Sequence, residues 1–338
     1  MKKQITLVMG MLMSGFLSAQ SVSYRTIEDD PDNIKNLAIS LDPFYADAWG
    51  TDITLGFGVR ADMYFKNLLS FNFDLRRAYL DLNAKEHEDA SLPKPNDDLK
   101  KHLYVEAGAQ LSFLNRSKQK DLKVVLSSSS SSSGGRTVTH SKYIMVPGTI
   151  RKSKQLRFGL ISTRAAIDLA DATGDGTTFK ATSKTNSANT FTIGDFANTV
   201  DGSPTYGGYT MMSYSAIYAG IGAKRITNLQ VDTDYGIRDH AYCFDLSADV
   251  VYAPILNFAD VYTTGGTAWE VSNEDVTRIG WRLGAVVRSS VKSRLSYRTE
   301  LGTRPGFRGG EGILSTNVYV LITLGWSIPF KLSVMNPS

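Results

Sequence analysis

Hydrophobic and polar residues alternate with a period of two along much of this chain. The clearest run is Ile53 to Phe65, where every odd position is apolar and the even positions include Arg60 and Asp62. A period of two places the two sets of side chains on opposite faces of a β-strand. At about 3.3 Å per residue the run would span roughly 40 Å, twice the length of an ordinary strand. A strand of that length can cross the apolar band of an outer membrane even when it is tilted.

The same alternation, together with turn signals, predicts about twelve strands. They cover residues 36–44, 53–65, 69–83, 102–114, 121–126, 136–146, 155–169, 213–227, 242–253, 277–289, 292–303 and 313–330. The fifth and sixth are weakly patterned. A predicted short turn, Asn115–Lys120, precedes the fifth strand, and a seven-serine tract, Ser127–Ser133, that is expected to be flexible separates the fifth from the sixth. If these two strands form only a protruding hairpin, the barrel has ten.

The lengths of the connections favour a barrel over other all-β folds. Short turns follow most even-numbered strands, whereas residues 84–100, 171–208 and 254–275 form long polar loops. This asymmetry is typical of an antiparallel up-and-down transmembrane β-barrel with short periplasmic turns and long extracellular loops. An even strand count then puts both termini on the periplasmic side. A soluble periplasmic β-sandwich remains an alternative, because alternation alone is common to both.

The N-terminus predicts export. Lys2 and Lys3 precede an apolar segment, residues 5–17, and small residues follow up to Ala19, the pattern of a cleaved signal peptide. We therefore divide the chain into a signal peptide at 1–19, a patternless periplasmic lead at 20–34, a barrel at 35–330 and a tail at 331–338. The net charge is only +4 and Cys243 is the single cysteine. These values exclude a nucleic-acid footprint and an intrachain disulfide.

The last predicted strand carries a short C-terminal pattern. It reads Thr323, Gly325, Ile328 and Phe330, a polar residue, a glycine, a hydrophobic residue and an aromatic residue at fixed spacing. This resembles the assembly signal of Gram-negative outer-membrane β-barrel proteins. The resemblance implies location in the cell outer membrane and insertion by the β-barrel assembly machinery. The family usually ends at the aromatic residue, whereas here residues 331–338 follow.

If the apolar faces meet lipid, the polar faces line the lumen and carry a charge cluster. Its predicted members are Arg60, Asp62, Asp74, Arg76, Glu106, Asp245, Asp249, Arg282, Arg298 and Glu300. Arginine pairs with carboxylates in a fixed bidentate geometry. The cluster is therefore either a charged constriction that selects solutes or a salt-bridge network that fills a narrow lumen.

The spacing of the histidine, serine and acidic residues does not match a catalytic or metal-binding motif. None of the four histidines has a serine two residues later, as the outer-membrane phospholipases require, and Asp232, Asp234, Asp239 and His240 fall in one predicted periplasmic turn. The Asp171–Gly176 segment resembles the start of a calcium loop, but the twelfth position is Thr182 where an acid is expected. We predict no enzyme activity, no cofactor and no metal site.

Three functions stay open, in descending order. The first is an outer-membrane barrel acting as a narrow passive channel or a structural wall protein, in contact with outer-membrane lipid. The second is an interaction module whose extracellular loops hold an outer-membrane or surface partner. The third is a membrane-embedded hydrolase. No nucleic-acid partner is expected.

Overall fold

The alternating segments form long antiparallel strands that close into a barrel. The computed structural model describes residues 22–31, 37–49, 52–65, 68–82, 101–133, 136–168, 180–192, 199–200, 203–204, 209–262, 267–272, 276–289, 295–306 and 318–330. The predicted signal peptide and the 331–338 tail lie outside these residues. Within them, no helix is long and apolar enough to cross a membrane.

Ten strands make the barrel wall. They are β2 (Leu37–Trp49), β3 (Asp52–Phe65), β4 (Leu69–Asp81), β5 (Leu103–Ser133), β6 (Arg136–Asp168), β11 (Tyr209–Thr233), β12 (Gly236–Phe258), β15 (Ile279–Ser289), β16 (Leu295–Thr303) and β17 (Val318–Phe330). Each pairs antiparallel with the next, β6 pairs with β11, and β17 pairs with β2 to close the ring. We call the end where β2 begins and β17 ends the terminal end, and the opposite end the loop end.

The alternation of each strand fixes what faces in and what faces out. Large apolar side chains are exposed on the outer face of all ten barrel strands, including Leu41, Phe57, Phe73, Phe113, Phe158, Ile221, Val250, Leu283, Leu301 and Trp326. The polar side chains of the same strands, such as Arg60, Asp74 and Glu106, are buried inside. This arrangement is inverted relative to a soluble β-barrel, whose apolar residues face its interior.

The barrel has ten strands and not twelve, because two pairs of predicted strands are continuous. The predicted turn at Asn115–Lys120 is part of β5 and pairs with residues 148–153 of β6. The serine tract is also strand: Ser127 pairs with Lys142, and Ser133 pairs with Arg136. Pairing with the β6 backbone holds this tract in the strand, and the described side chains, Ser127–Ser132, are exposed. The ten-strand alternative with a protruding hairpin agrees with this structure.

The strands β5, β6, β11 and β12 continue past the barrel at the terminal end. We call this part the extension. Its interior is a second hydrophobic core of Leu122, Val124, Val146, Ile150, Leu229 and Val231, formed where the β5–β6 hairpin packs on the β11–β12 hairpin. The Arg238 guanidinium donates to the carbonyl of Leu126 at 2.7 Å and ties the two hairpins together.

The N-terminal lead contains an unexpected strand. Residues Tyr24–Asp29 form β1, which pairs with β11 from Leu229 to Thr233. The pairing of β11 with β6 ends at Thr227 and Ile150, so β1 takes over the edge that β6 leaves. The Asp29 carboxylate accepts from the backbone N–H and the hydroxyl of Thr149 at 2.7 and 2.9 Å. Few residues of this segment are apolar, so its sequence shows no clear alternation and did not predict the strand.

The loop end carries a small sheet built from the long loops. Strands β7 (Lys180–Ser183), β8 (Thr190–Thr192), β13 (Val261–Tyr262) and β14 (Ala268–Val271) pair in the order β13-β14-β7-β8. The other short pair is β9 (Thr199–Val200) with β10 (Ser203–Pro204). Ala181, Val261, Trp269 and Val271 belong to the same hydrophobic cluster as inward side chains of the barrel. The four-stranded sheet therefore caps this end of the lumen.

Candidate functional site

The charge cluster in the lumen centres on Arg282. Cross-strand pairing places Arg282 of β15 beside Asp249 of β12, while Glu106 of β5 projects from the opposite wall. The Arg282 guanidinium donates two hydrogen bonds to the Glu106 carboxylate, both of 2.7 Å, and a third to Asp249 at 2.8 Å. Arg157 of β6 donates to the same Asp249 carboxylate at 3.0 Å. One arginine thus links opposite walls of the barrel.

Arg298 of β16 forms the second centre. Its guanidinium contacts the carboxylates of Asp74 and Glu300, and a nitrogen lies 3.6 Å from Glu106. Arg76 lies 3.3 Å from Asp74 and stacks over the Tyr104 ring at 3.7 Å. The Tyr104 hydroxyl donates to Glu106 at 2.7 Å, which joins the two centres. All of these charged groups are buried.

Nearer the terminal end the network continues through residues that flank Asp62. The Arg288 guanidinium contacts the Asp62 carboxylate and donates to the Tyr64 hydroxyl at 2.6 Å. Arg60 lies 3.7 Å from Asp62 and donates to the Ser296 hydroxyl. Lys224 lies 3.7 Å from Asp245 and 4.2 Å from the centre of the Tyr64 ring. These contacts form a second layer of the network inside the barrel, on the terminal side of the two arginine centres.

The loop end of the lumen is filled by aromatic side chains. Tyr104, Tyr214, Tyr218, Tyr319 and Trp49 are all buried in the cluster that the four-stranded sheet covers. Arg304 lies among them, paired with Asp47 at 2.5 Å and 4.1 Å from the centre of the Tyr319 ring. This aromatic layer therefore packs between the charged network and the four-stranded sheet.

Most of the charged groups inside the described lumen are in ion pairs. Eight cations, Arg60, Arg76, Arg157, Lys224, Arg282, Arg288, Arg298 and Arg304, are in ion pairs with eight carboxylates, Asp42, Asp47, Asp62, Asp74, Glu106, Asp245, Asp249 and Glu300. A solute filter needs charges that can exchange protein partners for an ion. Here the carboxylates are already paired with arginine or lysine, so these ion pairs cross-link the strands of the barrel wall.

All ten residues predicted for the lumen cluster lie inside the barrel, and each has an ion-pair partner there. The prediction missed Asp47 and Arg304, which fall in segments assigned to loops, and Lys224, which follows a run of small residues. It also missed the tyrosines that pack between the charges. Their inward parity was readable from the strand pattern, but tyrosine is equally common at the lipid interface.

The predicted assembly residues lie on the last barrel strand as expected from their parity. Thr323 is buried and faces inward, while Ile328 and Phe330 face outward. Gly325 also faces inward: a Cβ placed on it would lie 1.7 Å from an oxygen of the Asp42 carboxylate. Glycine at this position therefore makes room for a charged group of the lumen, whatever else it does in assembly.

The two buried or half-buried histidines considered for catalysis are far apart in the chain and lie at different ends of the barrel, and the acids near His240 have other partners. His102 is buried beside Tyr45 and Thr163, whereas His240 lies in the extension against Tyr242. Asp232 is 3.7 Å from Arg25, and Asp234 and Asp239 accept hydrogen bonds from Ser23 and Gln230. Burial and the Arg225 guanidinium lower the pKa of His240. His87 and residues 171–179 of the calcium-like segment lie outside the described residues.

Comparisons with known proteins give only distant structural similarity. No family model and no curated protein sequence matches the chain. The chain is similar to the transport unit of the autotransporter AIDA-I from Escherichia coli, with 8% identity, 96% of this chain and 97% of that chain covered, and a TM-score of 0.23.

Two other solved structures are similar at the same distance. OmpT of Vibrio cholerae is 9% identical, with 90% of this chain and 100% of that chain covered and a TM-score of 0.20. A mutant of the Rh. blastica porin is 6% identical, with 91% and 100% covered and a TM-score of 0.16. At such scores these similarities carry no argument, and the function is inferred from the chain's own geometry.

Proposed function

We propose that this protein is an integral outer-membrane β-barrel with a closed lumen, acting as a structural wall protein. The observation that carries the membrane assignment is the outer face, where every barrel strand exposes large apolar side chains. Monomeric soluble proteins rarely expose contiguous apolar patches of more than a few hundred Å². A complete apolar belt around a barrel with a charged interior is suited to lipid on the outside. The terminal end is then periplasmic, as the export signal favours.

The choice of a wall protein over a passive channel rests on Arg282. Its three hydrogen bonds to carboxylates on β5 and β12 span the lumen at its centre. An open pathway would require these bonds and those of Arg298 to break together. Breaking one buried ion pair costs about 3–5 kcal/mol, so thermal fluctuation seldom opens the lumen. The aromatic layer and the cap add a second barrier in series.

Two measurements test this function separately. Membrane location predicts that the full chain needs detergent for extraction and migrates differently on a gel before and after boiling. Full recovery in a detergent-free soluble fraction would overturn it. The closed lumen predicts no discrete conductance steps from purified, folded protein in a planar bilayer. A variant lacking both lumen arginines, Arg282→Ala with Arg298→Ala, serves as the control for insertion and should conduct. Regular steps from the parent protein would instead establish a channel.

A second candidate function is an interaction module, and the extension favours it. Beyond Ser112 the described part of β5 pairs only with β6, which leaves a long free strand edge on the terminal side. Val138, Tyr143 and Met145 are exposed on the same hairpin. A free edge of this kind accepts an added strand from a partner. Binding of a periplasmic protein that is lost when residues 127–142 are deleted would support this role, and unchanged binding would remove it.

The other two proposals from the sequence are kept with less support. An extracellular partner held by the loops would have to use the outer side of the four-stranded sheet, because its apolar side packs on the barrel. Insertion by the β-barrel assembly machinery is proposed from the C-terminal pattern Thr323, Gly325, Ile328 and Phe330. Depletion of that machinery should reduce the folded form on a gel, and undiminished folding would contradict the proposal.

A further inference from the structure

A shallow trench of about 710 Å³ runs across the outer wall of the barrel. It follows one cross-strand row, in which Gly222 pairs with Ser247, Ser247 with Gly284, and Gly284 with Glu300. The side chains of this row point inward, so the trench floor on the outside is backbone. Two rows of outward side chains form its sides.

The sides of the trench are apolar and uneven in height. One side is built from Ile221, Leu283 and Leu301, which are exposed large residues. The other is the row Ala223, Leu246 and Ala285, in which the two alanines leave the trench open on either side of the exposed leucine. Its length across β6 to β16 is about 20 Å, from a strand spacing of about 4.8 Å. This shape and chemistry fit one extended acyl chain.

Cations stand at one end of the trench. Lys154 lines it beside Phe113. On the outer face one step toward the terminal end, Arg116 of β5 pairs directly with Lys152 of β6, and Lys152 pairs directly with Arg225 of β11. Residues directly opposite each other in an antiparallel pair point to the same side, so four positive groups lie together.

This cationic row has no counter-charge among the residues that the structure describes. None of the four cations has a carboxylate partner there, and the Arg225 guanidinium lies 5.4 Å from the centre of the Tyr242 ring and near His240. Like charges placed directly opposite each other destabilise a sheet. A strand row of this composition at the border of the apolar belt is therefore suited to an anionic group supplied from outside.

We infer that the trench and the cationic row form a binding site for one anionic phospholipid. The phosphate and acidic headgroup lie on Lys152, Lys154 and Arg225, and one acyl chain lies in the trench. A zwitterionic lipid fits less well, because its own ammonium group neutralises the phosphate charge that would otherwise balance the cations of the row. The inference rests on the proposed membrane location and adds the lipid class that this part of the wall prefers.

The test measures lipid retained by the full chain, purified in mild detergent and mixed with phosphatidylglycerol or with phosphatidylcholine of the same acyl chains. Native mass spectrometry should show tighter binding of one phosphatidylglycerol. Lys152→Gln with Arg225→Gln should weaken it about tenfold or more, given the attraction of each cation for anionic lipid. The control Lys118→Gln with Lys120→Gln removes the same charge from the extension and should leave binding unchanged.

Two further variants keep the inference falsifiable. Lys154→Gln changes one exposed side chain, so it tests the headgroup contact even if the double variant folds poorly. Ala285→Trp fills the trench without changing the charge and should weaken the binding of phosphatidylglycerol. Inorganic phosphate should still compete for the cationic row as strongly as it does in the parent protein. Equal binding of both lipids, or no loss in Lys154→Gln and Ala285→Trp, would overturn the site. A chain that stays soluble without detergent would overturn the membrane location itself, which the extraction test reports independently.

Discussion

Arg282 and Glu106 lie on opposite walls of the barrel and are joined by two parallel hydrogen bonds of 2.7 Å. The strands that carry them, β15 and β5, are not neighbours in the sheet. Backbone pairing holds each strand only to the two beside it. The bidentate pair is therefore a direct brace across the lumen, and it fixes the cross-section of the barrel at its middle.

Arg282→Met should destabilise the barrel by about 3–5 kcal/mol, because Glu106 and Asp249 lose a buried cation. Glu106→Gln should cost less, since Tyr104 can still donate to the amide oxygen. The double variant should be more stable than the sum of the single effects by roughly 1–3 kcal/mol. Urea unfolding in detergent micelles, followed by the gel shift on boiling, measures all three.

The control for this double-mutant cycle is Arg282→Lys, which keeps the positive charge but loses the planar guanidinium group. It should fall between the parent and Arg282→Met, because an ammonium cannot bind both oxygens of a carboxylate in the same geometry. Strict additivity of Arg282→Met and Glu106→Gln would show that the two side chains do not interact, and would remove the brace.

Gly108 and Gly159 both make room for the Tyr218 ring. An alanine would clash first with a side chain at Gly108 and first with backbone at Gly159. These glycines pair across β5 and β6. A Cβ on Gly108 would lie 1.9 Å from the Tyr218 hydroxyl oxygen, and one on Gly159 would lie 2.4 Å from the Ala107 carbonyl oxygen. Both Gly108→Ala and Gly159→Ala should destabilise the barrel by about 1–3 kcal/mol through overpacking.

Tyr218→Phe should rescue only one of these variants. It removes the hydroxyl that blocks Gly108→Ala, but the obstacle to Gly159→Ala is backbone and stays in place. Comparing urea midpoints of the two double variants with the two single variants gives the answer. Equal rescue of both would mean that the ring as a whole moves aside, against the geometry described above.

The barrel wall was predictable because its outer and inner faces place apolar and polar side chains at alternate residues. Strands β3 and β17 show this alternation over their whole length, and Arg60, Asp74 and Glu106 are inside as predicted. The balance between a filled and an open lumen was not predictable. It depends on which strands face each other across the barrel, as with β5 and β15, and the sequence pattern of one strand holds no information about that distance.

The prediction of twelve strands was wrong for a related reason. Residues 115–120 are polar on both faces, which reads as a turn, yet in the extension both faces of β5 meet water at this point. A two-sided polar strand has no alternation to detect. Its conformation comes from the β6 backbone alongside it. The same holds for Ser127–Ser133, where composition indicated flexibility and the pairing with residues 136–142 decides the structure.

The second hydrophobic core should hold the extension without supporting the barrel. Val146 is fully buried between the two hairpins, whereas Met145 beside it is exposed. Val146→Asp should open the extension to trypsin at Lys123 and Lys142, because an unpaired charge in this core is costly. The barrel's urea midpoint should stay unchanged. Met145→Asp is the matched control and should remain resistant; equal cleavage of both would show that the core does not hold the hairpins together.

The extension should weaken in mild acid through His240. Burial, and then the Arg225 guanidinium, lower the pKa of His240 below its ordinary 6.5. As the pH falls through 6.5, the unfolded extension takes up a proton that the folded extension resists, so stability is lost toward low pH and is unaffected above that value. Hydrogen exchange of residues 229–241, corrected for intrinsic rates, should be faster at pH 5.5 than at pH 7.5.

His240→Phe keeps a ring against Tyr242 and removes the titration, so it should abolish the difference between the two pH values. His140→Gln, on the exposed hairpin, should leave the difference intact. The comparison is made in a zwitterionic detergent, so that no anionic lipid neutralises Arg225. A pH response that persists unchanged in His240→Phe would assign it to another group.

The pairing of β1 with β11 sets an order on folding. Residues 24–29 are made early, but their partner, residues 229–233, follows about two hundred residues later in the chain. Closing so long a loop is slow and gains nothing until β11 and β12 are already in place. The docking of β1 therefore comes late and occurs only on a nearly complete barrel. A chain truncated before β11 would keep its N-terminal segment free, which makes that segment a marker of incomplete assembly that a periplasmic protease can recognise.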